Sequence, residues 1–351
     1  MKKAYSFLLV LIISQFVGCI DPLDLKTGKG TESLVVDGLI TNEPGPYTVK
    51  LSLSEPYTAY AGNASSFVRR ATVIISDDKG NSETLTEIKP GTYTTSGNNL
   101  QGQIGNTYTL TVKTREGQEY TSAPELLAPV PDITNLYPEV QEQKILNASG
   151  NEVSVYNVAV YVDTPDPAEQ KNYYLWQWEG VHRVNTQPWN YCEKVRGKCI
   201  PMPKDCCETC WLTVFTNSIN VKDDRLINGR QLKKHLVTQI PVTPRTFESK
   251  YYLEVKQLSV SETAYDYWSM LKTQLSSVGN VQDPPPAAIA GNMRNVNNPE
   301  DKPYGYFGAS AVVKKVIFIR REELGINPGE LIFPDDCRVL MNSTTEKPAF
   351  W

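Results

Sequence analysis

The residues of this chain that could do chemistry are its cysteines, its two histidines and a scatter of carboxylates. Cys19 follows Phe16-Val17-Gly18 at the end of an apolar run over residues 5–17, and Lys2 and Lys3 precede that run. A cationic start, a short apolar stretch and a small residue directly before a cysteine form a secretory signal closing on a lipoprotein-type cleavage site. The run is shorter than the ~20 apolar residues a helix needs to span a bilayer, and polar Asp21, Asp24 and Lys26 follow it. Cleavage before Cys19 would free its amino group, and if that amine and the side-chain sulfur both carry acyl chains the anchoring is stable where one chain's is not. The expectation is a mature chain that starts at Cys19, with lipid in the membrane and all of its polypeptide in water.

Six other cysteines stand at Cys192, Cys199, Cys206, Cys207, Cys210 and Cys337. An even set in an exported chain implies up to three disulfides. Five of them fall in a polar loop over residues 192–210. A zinc site would want two close pairs; Cys207-x2-Cys210 supplies one, and Cys192 and Cys199 are too far apart for the second. Disulfides are therefore the reading adopted, with no metal and no cofactor expected. Cys337 would clamp the C-terminal tail onto the loop. A crosslinked loop keeps its shape without a hydrophobic core, which suits recognition. Trp189 and Tyr191, at its entrance, are the candidate binding residues, because a loop gives them no core to fill.

Catalytic signatures are missing. His182 and His235 are the only histidines, and no G-x-S-x-G, H-E-x-x-H, P-loop or dinucleotide fingerprint occurs. Paired carboxylates could serve a glycosidase, with Glu179 beside Trp176 and Trp178 as the acid to watch, but sequence alone places no second acid near it. A non-enzyme is expected, with an exo-acting hydrolase the less favoured alternative.

The elements that must position these residues read as mainly β. The 351 residues include 24 Pro, 22 Gly, 19 Tyr and 6 Trp, with few long helical periods. Without residues 1–18, and so without Lys2 and Lys3, 33 basic residues face 39 acidic ones, a net charge near −6 with no basic tract. Nucleic acid is thus a poor partner. Residues 19–32 read as a lipid tether. Residues 33–123 carry about seven short strands with turns every 8 to 12 residues, the pattern of an immunoglobulin-like sandwich. Val49, Leu51 and Leu53 alternate with polar residues, as do Tyr108, Leu110 and Val112. Residues 124–138 hold Pro124, Pro129, Pro131 and Pro138 and read as a semi-rigid linker. Residues 139–351 read as a second β-sandwich-like domain, decorated by the disulfide loop and one amphipathic helix. For that helix Ser259-x-x-Glu262 reads as the capping box, Ala264, Trp268, Leu271 and Leu275 as the apolar stripe, and Gly279 as the C-cap. Trp268 is expected in the core, Trp176, Trp178 and Trp211 are expected buried, and Asp283-Pro284-Pro285-Pro286 is expected to form a stiff arm. The asparagines at 292, 295, 297 and 298 fit a structural loop.

Three ordered motifs carry a resemblance: Leu34-Val35-Val36-Asp37-Gly38-Leu39-Ile40-Thr41 with its proline-glycine turn; Val255-Lys256-Gln257-Leu258-Ser259 running into Ala264-Tyr265-x-Tyr267-Trp268; and Gly291-Asn292, Asn298-Pro299 and Gly305-Tyr306-Phe307-Gly308-Ala309-Ser310. Together they resemble a lipoprotein family of Bacteroidota designated domain of unknown function 4249, often encoded beside TonB-dependent outer-membrane receptors. The resemblance implies an outer-membrane, surface-exposed lipoprotein with no established reaction, and it carries over no catalytic residue. The function expected is a non-catalytic accessory or ligand-capture partner of a TonB-dependent transporter. A structural or adhesive surface protein is the alternative. An aromatic-lined cleft would favour the first, a flat surface the second, and two acids converging in a cleft the hydrolase.

Overall fold

The computed structural model describes residues 32–54, 66–97, 99–168, 170–276 and 288–351. The signal at 1–18, Cys19, the tether up to residue 31, Gly279 and the arm at 283–286 lie outside the described residues. The chain is mainly β. Its first part holds β1 (Leu34–Thr41), β2 (Thr48–Leu53), β3 (Thr72–Asp77), β4 (Ser82–Thr84), β5 (Thr86–Lys89), β6 (Thr92–Thr94), β7 (Thr107–Lys113), β8 (Glu119–Ser122) and β9 (Glu125–Leu126). Next come β10 (Asn135–Leu146), β11 (Glu152–Pro165), β12 (Tyr173–Asn185), β13 (Cys192–Val195), β14 (Lys198–Pro201), β15 (Thr209–Phe215), β16 (Asn220–Asp223), β17 (Gln231–Pro241) and β18 (Lys250–Ser259). The helix α1 (Glu262–Ser276), then β19 (Met293–Asn295), β20 (Tyr304–Ser310), β21 (Val312–Arg320) and β22 (Ser343–Thr344) complete it.

Two sheets form the first sandwich, one ordered β20-β1-β2-β6-β5 and the other β19-β8-β7-β3-β4 with β9 on β7. Period-two alternation puts Leu34, Val36 and Ile40 of β1, Val49 and Leu51 of β2, and Tyr108, Leu110 and Val112 of β7 into one shared core. The domain boundary read from sequence is corrected here. β19 and β20, inside the stretch 139–351 read as the second domain, belong to the first: β20 pairs parallel with β1 from Val35↔Tyr304 to Thr41↔Ser310, and β19 pairs with β8. Phe307 and Met293 are buried in the first core. A parallel partner must arrive by a long crossover, and here β10 to β18 and α1 of the second domain lie between the first nine strands and the returning β19 and β20, while β21 and β22 go back to the second sandwich.

The third motif of the sequence has its physical reason in this return. Gly305 has φ +85°, and a Cβ there would meet the Val36 carbonyl oxygen at 1.9 Å; a Cβ on Gly291 would meet the Gly305 carbonyl at 1.6 Å. Only glycine allows the backbones to approach that closely. Beside them the Asn292 side chain copies a strand partner, donating to the Phe307 carbonyl at 2.7 Å and accepting from its N–H at 3.0 Å.

The second sandwich packs a three-stranded sheet, β10-β11-β17, on a six-stranded one, β21-β18-β12-β15-β22 with β16 beside β12. Tyr174, Trp176 and Trp178 of β12 share one face and enter the core with Tyr251, Leu253 and Val255 of β18, so the expected burial of Trp176 and Trp178 holds. Trp211 is instead half-buried, edge-on to Trp351 at 6.5 Å. Residues 124–138 are also more than a linker: Leu127 is buried in the first core, Ile133 and Leu136 in the second, and Val130 packs on both. Gln257, fully buried, ties the segment down by donating to the Pro131 carbonyl at 2.8 Å, and Ser259 Oγ donates to that of Ala128 at 2.6 Å. That use of Ser259 corrects the helix cap. Ser261 caps α1, its Oγ accepting from the Ala264 N–H at 3.1 Å. Leu275, placed on the apolar stripe by spacing, is 66 % exposed.

Candidate functional site

A partly enclosed cleft of about 240 Å³ opens where the two sandwiches meet. β1 and β20 form its first-domain wall, Leu175 and Gln177 of β12 with Leu258 of β18 its second, and Ala264, Tyr267 and Trp268 of α1 its roof. The small side chain of Ala264 lets α1 sit close on Leu175, Leu258, Val260 and Tyr306. Tyr267 stands 5.3 Å from Trp268 with rings at 75° and 5.1 Å from Tyr306, so three aromatic rings cluster along one side. Trp268 is therefore half-buried on a cleft wall, where helical spacing alone places it in the core.

Glu125, on β9, reaches this cleft although it is only 2 % exposed. Its Oε1 accepts from the Tyr306 hydroxyl and from Asn292 Nδ2 at 3.2 Å. Tyr306 in turn exchanges a hydrogen bond with Thr263 at 2.9 Å. Oε2 has no partner in the protein. Burial pushes the carboxyl above the ordinary range, opposed by hydrogen bonds from Tyr306, Ser261, Asn292 and Thr263. The same burial and the neighbouring carboxylate raise the Tyr306 hydroxyl. Sequence reasoning placed Glu125 in a linker and passed over it. The available signal was a lone acid between Pro124 and the apolar Leu126-Leu127-Ala128.

The predicted site residues lie elsewhere. All six cysteines pair: Cys192 with Cys199, Cys206 with Cys207, and Cys210 with Cys337. The first pair spans the β13–β14 hairpin, whose Arg196-Gly197 turn has φ 48° and 79°, the double left-handed geometry of a tight hairpin turn. The third is fully buried with Val184 and Leu212 and ties residues 331–344 to β15, the clamp expected of Cys337. Trp189, on a single 3-10 turn at Pro188–Asn190, is 53 % exposed. Tyr191 is half-buried, with Lys204 Nζ 3.9 Å from its ring centre and Lys204 itself ion-paired to Asp335. The structure thus leaves Trp189 free for contact, and it partly covers Tyr191. Val195, Ile200 and Met202 of the same hairpin are each more than 40 % exposed.

Glu179 is on the outer face of β12, opposite Glu254 of β18, whose carboxylate lies 3.8 Å from both Lys256 and Lys314. Neither acid lines the cleft. His182 is 3 % exposed and stacked on Tyr251, with no protein partner for either ring nitrogen; His235 lies tilted against Trp176, ring centres 4.1 Å apart, and meets Asn220 at 3.0 Å. Burial lowers both histidines to about 4. The asparagine loop is self-satisfied, Asn295 Oδ1 accepting from the N–H groups of Asn297 and Asn298. Among the described residues no group of His, Cys, Asp and Glu could hold a metal ion, and no helix is long and apolar enough to cross a membrane.

The chain belongs to the family described as a domain of unknown function, DUF4249, whose profile matches residues 20–316. No curated protein matches it. Cys337 lies beyond the matched stretch, and the cleft residues lie within it.

Proposed function

We propose that this member of the family is a non-catalytic, lipid-anchored outer-membrane protein that captures a small ligand for a TonB-dependent transporter. The observation that carries the reading is the aromatic-lined cleft between the sandwiches, a concave and mostly apolar site with one converging polar group. Of the two acids that line it, Glu125 is buried and Asp37 is exposed beside Lys50 at 3.7 Å, an arrangement that suits binding. The crosslinked hairpin supplies the surface for the transporter, because Trp189, Val195, Ile200 and Met202 present apolar side chains on a scaffold held by Cys192–Cys199. Exposed aromatics on a rigid support are the usual anchors of protein interfaces. Anchoring at Cys19 confines both partners to one membrane and raises their effective concentration.

The test is purification of the tagged full chain from gently solubilised native membranes. A TonB-dependent transporter should come with it, and Trp189→Ala should weaken that association by about 2 kcal/mol or more while leaving the melting temperature unchanged. If the protein emerges alone, and deleting its gene leaves uptake by the neighbouring transporter intact, the reading is wrong and the adhesive alternative takes its place.

A further inference from the structure

We propose that the cleft binds a small amphipathic amine, its protonated head on Glu125 Oε2 and its apolar body against Trp268, Tyr267 and Leu175. The inference rests on the cleft being the ligand site. Three observations select the head group. The two oxygens of Glu125 are treated unequally: Tyr306 and Asn292 both serve Oε1, and Oε2, equally out of solvent, is served by nothing. A buried acceptor without a donor costs about 1–3 kcal/mol, more if charged, and that cost is recovered when a ligand brings the donor. Next, the cleft contains two acids, Glu125 and Asp37, and no lysine, arginine or histidine. An anionic head would meet only like charge there, and a cation would meet its complement. Finally, Trp268, Tyr267 and Tyr306 offer ring faces within one cluster, and indole and phenol faces attract cations as well as apolar bodies.

Size limits the ligand. An apolar cavity of about 150 Å³ accepts benzene, so 240 Å³ accommodates one ring with a short arm ending in the amine. The ligand class is a monoamine of about that size. A polyamine has no second buried acceptor to reach, since Asp37 is exposed and already near Lys50 at 3.7 Å.

Titration calorimetry on the full chain with 2-phenylethylammonium, 2-phenylethanol and 3-phenylpropionate tests this, since the three differ mainly in the head. Wild type should bind the amine about tenfold or more tighter than the alcohol, and the acid most weakly. Glu125→Gln should reverse the order of amine and acid. Its carbonyl stays with Tyr306 and Asn292, and its NH2 then points where Oε2 stood. Should that variant not fold, the wild-type ranking decides alone. Equal affinity for amine and alcohol, or an unchanged ranking in a folded Glu125→Gln, overturns the amine assignment. The cleft reading is tested separately by Gly308→Leu. A Cβ at Gly308 has its nearest neighbour, Leu39, at 3.3 Å, so the longer side chain fills the cleft from β20. Loss of all three probes in that variant upholds the cleft even if the amine ranking fails. If no probe binds wild type, the amine assignment falls; if Gly308→Leu also leaves uptake unchanged, the cleft reading falls with it.

Discussion

At the scale of single residues, this protein keeps several polar groups out of water without partners, and where such a group titrates its burial makes stability depend on pH. His182 is the clearest case. Folded, it stays neutral down to about 4; unfolded, it takes up a proton near 6.5. Between those values the unfolded chain binds more protons, so stability is fully present above pH 6.5 and falls as pH drops towards 4. Burial is the main cause, and Arg245 adds to it. The loss from this one group is at most about 3 kcal/mol. His182→Phe keeps a ring against Tyr251 and removes the titration. It should be at least as stable as wild type at pH 7, since it also removes two buried nitrogens without partners, and its margin should grow as pH is lowered to 4, read by denaturant melts. His235 titrates in both proteins and cancels. Superimposable pH profiles would show that His182 does not stay neutral in the folded state.

At the scale of elements, the Cys210–Cys337 crosslink holds more than the hairpin does. It closes a separation of 127 residues, whereas Cys192–Cys199 closes 7. Chain entropy grows with loop length, and a loop of that size corresponds to roughly 4–5 kcal/mol. Both sulfurs are buried with Val184, Leu212 and Leu340, so their removal also leaves a void. Cys210→Ala together with Cys337→Ala should lower stability by about 4 kcal/mol or more and speed amide exchange over residues 331–344. The pair Cys192→Ala and Cys199→Ala should cost markedly less and loosen only the hairpin. Equal costs for the two pairs would mean that the tail is held by its packing and not by the crosslink.

For the whole molecule, the return of β19 and β20 into the first sandwich makes the two domains interdependent. β1 is an interior strand only because β20 covers it, and Phe307, Ala309 and Met293 complete the core it faces. A fragment of residues 32–127 would expose that edge and those contacts. It should lack a cooperative melt, and the same fragment joined by a flexible linker to residues 288–311 should regain one, as followed by circular dichroism. A cooperative melt of 32–127 alone would show that the returning strands add only to an already stable unit. The interdependence also bears on the cleft, since Glu125 from the connecting segment, Tyr306 from β20 and Tyr267 from α1 come together only when both sandwiches are complete.

Much of this was written in the sequence in local form. Alternation alone assigned β2 and β7 and their buried faces, because side-chain period depends only on the strand's own backbone. The even cysteine count gave a disulfide set, and Ala264 with Trp268 gave a helix. The sequence also held glycines at 291 and 305 without revealing their purpose. What escaped it was non-local. Nothing in residues 288–311 says which of two sandwiches they join, since a strand's pattern names its buried face and not its neighbour. Trp268 read as core because helical spacing fixes a direction, and only packing decides whether that direction meets side chains or a cleft. Ser259 read as the cap because Glu262 stands three residues on, but the carbonyl of Ala128, far along the chain, takes its hydroxyl, and Ser261 caps the helix instead. Glu125 read as a linker acid because its burial comes from segments up to 181 residues away, and desolvation is a property of the assembled fold, carried by no stretch of sequence.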